Sequence, residues 1–306
     1  MNSESEILRE FNQGELRALS RLISMAENRD PKIPVILGQL FKKLGHAKII
    51  GITGPPGAGK STLTNLLVKD IRSKNKKVAV IAVDPVSPFS GGALLGDRIR
   101  LQEHFNDPCV FIRSLSTRGK LGGLSVAARE VSELVDAFGF DYVILETVGV
   151  GQSEVDIRKI ADVTLLVLVP EWGDGIQTLK SGILEIADLF VVNKSDREGA
   201  DRIALELKNM LQIAEKNSPV LMTQQSDEES IKRVLAEIEK FLVEKRELIE
   251  KRRQSARQET VVEWLNARAV EEAHRWVESK IQVQKNPYDV IVDFQKQYPV
   301  GSIFSK

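Results

Sequence analysis

The chain has 306 residues, 42% of them hydrophobic and 28% charged, which at roughly 150 residues per domain allows one large domain or two. That composition excludes disorder, collagen and low complexity as whole-chain readings. The 43 basic and 43 acidic side chains cancel, so no global field draws the chain to nucleic acid or an anionic membrane, and an anionic ligand must be held locally.

The single cysteine, Cys109, cannot form an internal disulfide, and with His46, His104 and His274 as the only histidines the chain lacks a Cys/His zinc set. This usage points to a reducing cytoplasm. The opening MNSESEILRE has neither the basic start nor the apolar stretch of a secretory signal. The run 163–169, apolar but for Thr164, is a strand-sized seven residues, against the ~20 needed to span a bilayer. A soluble cytoplasmic protein is expected, neither exported nor integral.

In chain order, Ile7, Leu8, Phe11, Leu16, Leu19, Leu22 and Ile23 recur at helical spacing. Pro31 and Pro34 break this prelude, and a second helix is expected over 33–44 with Pro34 in its first turn. The pattern then changes to short β-branched runs at 48–53, 78–83, 110–114, 142–146, 163–169, 189–193 and 220–222, separated by helical stretches. Near-continuous apolar runs mean strands covered on both faces, which makes the expected fold α/β with a doubly wound, mostly parallel sheet. After Ser226 the pattern is helical again, with Ile231, Val234, Leu235, Ile238, Phe241, Leu242, Leu248 and Ile249 on one face. The mixed-sign run 244–253 reads as a solvated helix face rather than a basic recognition patch. A further helix over 261–281 carries Trp264 and Trp276 and fits an interaction arm or simple packing onto the domain. The expected organisation is an N-terminal helical extension over 1–46, a nucleotide-binding domain over 47–245 and a C-terminal helical arm over 246–306.

Gly54, Pro55, Pro56, Gly57, Ala58, Gly59, Lys60 and Ser61 fit G-x-x-x-x-G-K-[ST] directly after the first strand and before a helical run at 63–71. Glycines let backbone N–H groups turn around phosphate oxygens, and the helix N-terminus adds partial positive charge. Lys60 would neutralise β and γ phosphates, and Ser61 would coordinate Mg²⁺; the bland alternative is a glycine-rich structural turn. Asp84 stands at the carboxyl edge of the second strand, where α/β folds place ligands. Asp97 and Glu146 are further acids able to reach the metal. Glu146-Thr147-Val148-Gly149 has the layout of a D-x-x-G element with Glu in place of Asp, and the Gly149 N–H is free to meet a γ-phosphate. Such a contact, lost on hydrolysis, would work as a switch.

Asn193-Lys194-Ser195-Asp196 follows the sixth strand. A carboxylate at Asp196 accepts both N1–H and the exocyclic amine of guanine, whereas adenine offers no such donor pair, so GTP and GDP are favoured over adenine nucleotides. Val150 follows Gly149 where Ras-like enzymes carry a water-orienting glutamine; the nearest glutamine is Gln152. Slow intrinsic hydrolysis with stimulation by a partner is expected, since unassisted small GTPases turn over at about 10⁻⁴ per second. Arg98, Arg100, Arg113 and Arg118 are candidates for transition-state or phosphate contacts.

The stretches GITGPPGAGKSTL, AVDPVSP, GGALLGDRIR, FIRSLSTRGKLGGL, ILETVGVGQSEVDI, GDGIQTLKSGILEIADLFVVNKSD and NPYDV resemble the MeaB/ArgK family of P-loop GTPases, which includes the human methylmalonic aciduria type A protein. The resemblance implies a P-loop GTPase domain between helical extensions. It also implies a homodimer through the C-terminal helices and a GTP-hydrolysing chaperone for an adenosylcobalamin-dependent acyl-CoA mutase, gating cobalamin loading and protecting or reactivating the mutase. Carried over by position, Gly54 through Thr62 hold the phosphates, and Ser61, Asp84, Asp97 and Glu146 serve the metal. Arg100 contacts nucleotide, Asn193, Lys194 and Asp196 read guanine, and Lys60, Glu146, Gln152 and Lys180 form the catalytic set. The segments 86–100, 147–156 and 173–181 resemble the family's three switch regions. Thr223-Gln224-Gln225-Ser226 departs from the family's usual S-A-x or T-x-A base-contacting turn, with Gln224, Gln225 and Ser226 the candidates there.

Three other readings use parts of the same pattern. A nickel-insertion maturation GTPase needs Cys and His ligands near the nucleotide, which the lone Cys109 opposes. A transport-related kinase or ATPase is opposed by Asp196 and its preference for guanine. A nucleotide-locked scaffold without useful hydrolysis is separated from the chaperone by GTP turnover.

Overall fold

The computed structural model describes residues 4–84, 101–116, 123–147, 157–172, 185–280 and 287–297. Seven strands, β1 (Lys48–Thr53), β2 (Val78–Asp84), β3 (Val110–Ser116), β4 (Tyr142–Thr147), β5 (Val163–Leu168), β6 (Leu189–Asn193) and β7 (Val220–Thr223), form one sheet. Its order is β3-β2-β4-β1-β5-β6-β7, and every neighbouring pair is parallel. β1 sits between β4 and β5: the chain crosses from β1 to β2 on one side, and the crossover from β4 to β5 passes to the other side of β1, so the strand order reverses there and the carboxyl end of β1 is the crevice where such folds receive ligands.

The helices are α1 (Glu4–Asn12), α2 (Leu16–Glu27), α3 (Ile33–Leu40), α4 (Lys60–Ser73), α5 (Gly123–Phe138), α6 (Ala200–Ile213), α7 (Glu228–Glu244), α8 (Arg246–Lys280) and α9 (Pro287–Gln297). Helices α1 to α7 cover both faces of the sheet. On one, Leu19, Leu22, Ile36, Val131 and Leu134 of the N-terminal helices and α5 pack over Ala79, Ile81, Val143 and Leu145. On the other, Leu63, Leu67 and Ile71 of α4 and Val234 and Leu235 of α7 pack over Ile50, Ile52, Val80, Ile144 and Leu165. Ile203 and Leu207 of α6 cover Phe190 and Val192 of β6. Each such side chain contributes about 1.5–3 kcal/mol by leaving water.

The N-terminal prelude is two helices rather than one before Pro31. Gly14 takes φ +84° between α1 and α2, a left-handed turn that glycine allows at no steric cost. The expected second helix ends earlier, at Leu40, and tightens into a 3₁₀ turn over Phe41–Lys43. The C-terminal pattern is also partitioned differently. The chain breaks at Lys245, and 246–253 and 261–280 are parts of one helix, α8. Asp227 caps α7, its carboxylate accepting from the Glu229 amide at 3.1 Å. α9 has no counterpart in the sequence reading.

The chain forms two compact units, residues 1–254 and 255–306. The first turns of α8 belong to the first unit and are fixed there by charge. Arg253 donates to both oxygens of Asp162 at 2.6 and 2.5 Å and to the Ala47 carbonyl at 2.7 Å. Arg252 grips Asp188 through two contacts at 3.0 and 3.2 Å, and Arg158 joins the same carboxylate at 2.6 Å. Asp162 and Asp188 are buried and immediately precede β5 and β6, where they also accept the amides of Ile49 and Thr164. The run 244–253 is therefore not a wholly solvated face: its arginines tie α8 to the amino-terminal edge of the sheet. In the second unit, Val261, Val262, Leu265 and Val270 of α8 are exposed. No described helix is long and apolar enough to cross a membrane.

Candidate nucleotide site

β1 ends at Thr53, and the following turn uses three glycines with positive φ: Gly54 at +142°, Gly57 at +76° and Gly59 at +83°. Two of these positions also lack room for a side chain. A Cβ at Gly54 would stand 2.1 Å from the Val167 carbonyl oxygen, and one at Gly59 would stand 2.3 Å from Asn193 Nδ2. Gly59 is the N-cap of α4, so the loop delivers Lys60 and Ser61 to the first turn of that helix. The buried Lys60 ammonium is held inside the turn, donating to the carbonyls of Gly54 at 2.7 Å and Pro55 at 3.0 Å. The peptide groups from Pro55 to Ala58 are closed by an Ala58 amide to Pro55 carbonyl bond of 3.3 Å. A backbone of this form at a helix N-terminus suits an anion.

β4 lies beside β1 with Glu146 opposite Ile52, which brings the Glu146 carboxylate against α4. Ser61 Oγ donates to Glu146 Oε1 at 2.5 Å and Thr64 Oγ1 donates to Oε2 at 2.7 Å, all three side chains being buried. Ala82 of β2 is level with Glu146 and Val83 with Thr147, so Asp84 follows at the same carboxyl edge; only its backbone is described. Among the described residues no three His, Cys, Asp or Glu side chains cluster as a metal cage. The hydroxyl and carboxylate that do meet are hard oxygen donors, the kind Mg²⁺ takes in ones and twos alongside phosphate and water.

β6 supplies the third part. Asn193 Nδ2 donates to the Ala58 carbonyl at 2.9 Å, its Oδ1 accepts from Thr223 Oγ1 at 3.1 Å, and Lys194 Nζ donates to the Gly57 carbonyl at 2.9 Å. Lys194 has φ +56°, a conformation uncommon for a side chain with a Cβ, held here by bonds on both sides. Asn193 and Lys194 therefore brace the glycine turn, while Asp196 remains on the wall of a cavity of about 550 Å³. That cavity runs from Gly59 and Thr62 past Leu63 and Leu66 to Lys194, Asp196, Gln225 and Ser226. Of the candidate turn, Gln225 and Ser226 line it, whereas the Gln224 carbonyl accepts the Asp227 amide at 3.1 Å. Arg197, also on the wall, pairs with Glu171 beyond β5. A bond from its own backbone amide and then the Arg197 guanidinium hold the Glu171 carboxyl below its usual range.

The sequence-expected residues Gly54 through Ser61, Glu146, Asn193, Lys194 and Asp196 thus come together around one crevice. Arg113 does not join them: it donates to Ser24 Oγ at 3.0 Å and pairs with Glu27, anchoring α2 to β3. Asp97, Arg98, Arg100, Arg118, Gly149, Gln152 and Lys180 lie outside the described residues, as do nearly all of the three switch-like segments. The sequence reading assigned no role to Thr64, and placed Thr223 in the base-contacting turn without its bond to Asn193. Thr64 could have been found from its spacing, three residues after Ser61 on one helix face; the Thr223 bond to Asn193 has no local signal, because only the β6–β7 pairing places the two opposite each other.

Comparison with known proteins agrees with this geometry. Residues 19–280 match the family model described as Methylmalonyl Co-A mutase-associated GTPase MeaB. A protein of Pyrococcus horikoshii named as a GTPase is 47% identical, the alignment covering 89% of each chain. The GTPase ArgK of Escherichia coli is 35% identical over 88% of this chain and 84% of its own. The methylmalonic aciduria type A homolog of Caenorhabditis elegans, a mitochondrial protein, is 37% identical over 62% of this chain and 52% of its own. Among solved structures, one named LAO/AO transport system kinase superposes with a TM-score of 0.67 at 28% identity, covering 92% of this chain and 89% of that one. With the turn around Lys60, the carboxylate beside Ser61 and the NKSD loop all in register, this chain belongs to the MeaB family and is a P-loop GTPase.

Proposed function

We propose that this GTPase is the chaperone of an adenosylcobalamin-dependent acyl-CoA mutase, methylmalonyl-CoA mutase or a close relative, using GTP to gate cobalamin loading and to protect or reactivate the mutase. The observation that carries the reading is the family match, which extends over 19–280 and so takes in most of α2, all of α3 and the whole of α8 as well as the nucleotide crevice. A metabolic kinase would not require those flanking helices to be shared.

In this reading the turn 54–62 holds the phosphates, Lys60 gives up its carbonyl partners to a β or γ oxygen, and Asp196 accepts the two guanine donors with Gln225 and Ser226 beside the base. Ser61, Asp84, Asp97 and Glu146 serve Mg²⁺, which when bound neutralises charge across the β and γ phosphates. Arg100 and Gly149 contact nucleotide, and Gln152 and Lys180 complete the catalytic set. The exposed valines and Leu265 of α8 supply a homodimer contact. The lone Cys109 fits a reducing cytoplasm.

The test is GTP turnover by the purified chain with and without a methylmalonyl-CoA mutase. The expected result is a rate of about 10⁻⁴ per second alone, the level of small GTPases lacking an added arginine, and a clear rise on adding mutase. Fast turnover alone, with no response to mutase, would contradict the reading.

A further inference from the structure

We infer that Glu171 is a positioning residue for guanine specificity: it pairs with Arg197 and so keeps that guanidinium off the neighbouring Asp196 carboxylate. This rests on the proposed role of Asp196 in reading the base and adds what keeps its oxygens available. Asp196 and Arg197 are adjacent in sequence and line the same cavity. An arginine carries five N–H donors on a long stem, and the nearest carboxylate along the chain is the one that must accept from guanine. A guanidinium on Asp196 would compete for the same two oxygens as N1–H and the 2-amino group. The structure directs it elsewhere: Arg197 Nη1 donates to Glu171 Oε1, while among the described residues none hydrogen-bonds or pairs with the Asp196 side chain.

The placement follows from the chain. β5 ends at Leu168, and a 3₁₀ turn over Pro170–Trp172 sets Glu171 beside the loop that leaves β6. A Cβ at Gly199 would stand 3.9 Å from Pro170 Cβ, so the two segments are in contact. The NKSD turn is closed by the Arg197 amide donating to the Lys194 carbonyl at 3.0 Å, and tied to β7 by the Ser195 amide donating to the Thr223 carbonyl at 2.9 Å. Its backbone therefore stands without the Glu171 pair, and what the pair decides is the direction of one side chain. Arg197 and Glu171 are 51% and 49% exposed, so their pair adds little to stability, but it is enough to choose between two carboxylates.

The test measures the affinity of the full chain for N-methylanthraniloyl-GDP and N-methylanthraniloyl-IDP with Mg²⁺, at low and high salt. Inosine lacks the 2-amino group, so the GDP-to-IDP preference reports what Asp196 accepts. Glu171→Gln keeps the shape and removes the charge, releasing Arg197. GDP binding should weaken by roughly 2- to 5-fold, the span of an exposed ion pair, and the GDP-to-IDP preference should narrow. Both effects should fade at about 1 M salt, where the Debye length is about 3 Å. Adding Arg197→Ala to Glu171→Gln removes the competitor and should return both toward the parent. No recovery in the double variant, or a loss in Arg197→Ala alone as large as in Glu171→Gln, would make the pair a brace or a base contact and overturn the inference. Asp196→Asn runs in parallel. If it changes the GDP-to-IDP preference and Glu171→Gln does not, the Glu171 inference alone fails; if Asp196→Asn leaves the preference unchanged, the base assignment fails and the inference with it.

Discussion

Asp196→Asn is expected to convert a GTPase into an enzyme that prefers xanthosine triphosphate. Guanine presents N1–H and a 2-amino group, both donors, and the carboxylate accepts both; the asparagine amide accepts one and turns an N–H toward the other. Xanthine carries a carbonyl at that carbon, which accepts the asparagine N–H. Hydrogen bonds to charged groups are worth about 1.5–3 kcal/mol each, so the loss of one should lower kcat/KM for GTP by roughly 10- to 100-fold, at about 1.4 kcal/mol per decade. The change should leave the glycine turn standing, because that turn is braced by Asn193 through Ala58 and Lys194 through Gly57, not by Asp196. Comparing kcat/KM for the two nucleotides in parent and variant checks it. An unchanged preference would mean that the cavity beside Asp196 does not take the base.

The largest effect on stability should come from the opposite edge of the sheet. Asp162 is 2% exposed and accepts from Arg253 through both oxygens and from the Ile49 amide at 2.8 Å. Asp162→Ala leaves a part-buried guanidinium without its carboxylate and a strand amide without its acceptor. Breaking a buried pair from one side costs about 3–5 kcal/mol, which at 2–4 °C per kcal/mol for a domain of this size is a fall of roughly 10 °C in melting temperature. The double variant Asp162→Ala, Arg253→Ala should lose less than the two single losses added together, since each single change strands the other partner. Thermal unfolding of the four proteins checks this. A shift no larger than that of an exposed pair, under about 1 kcal/mol, would show that the arginines do not secure the start of α8.

The sheet was largely legible in the chain because buried parallel strands are continuous apolar runs. The runs at 48–53 and 189–193 coincide with β1 and β6. β2, β3, β4 and β7 each run past the expected end, into Asp84, Ser116, Thr147 and Thr223. Those polar residues stay on the ladder, Asp84 paired with Ser116 and Asn193 with Thr223. An apolar criterion stops one or two residues short at the carboxyl edge because that is where these strands turn polar. The glycine turn and the NKSD loop were legible as motifs; their mutual bracing was not, since Asn193 and Ala58 are 135 residues apart. Arg113, Arg252 and Arg253 illustrate the remaining limit. A charged residue in a sequence looks the same whether it meets phosphate, solvent or a buried aspartate, and only the tertiary structure names the partner.

A nucleotide-driven chaperone requires that GTP and mutase sense each other. Inverting a 1:99 population takes about 5.5 kcal/mol of differential binding, and linkage makes the effect reciprocal. The most direct measurement is the affinity of a methylmalonyl-CoA mutase for this chain loaded with GDP or with a non-hydrolysable GTP analogue, alongside the affinities for the two nucleotides with and without mutase. The account predicts that the nucleotides change mutase affinity, and that mutase changes the ratio of nucleotide affinities by the same factor. Equal mutase affinity in both nucleotide states, or no binding in either, would contradict it.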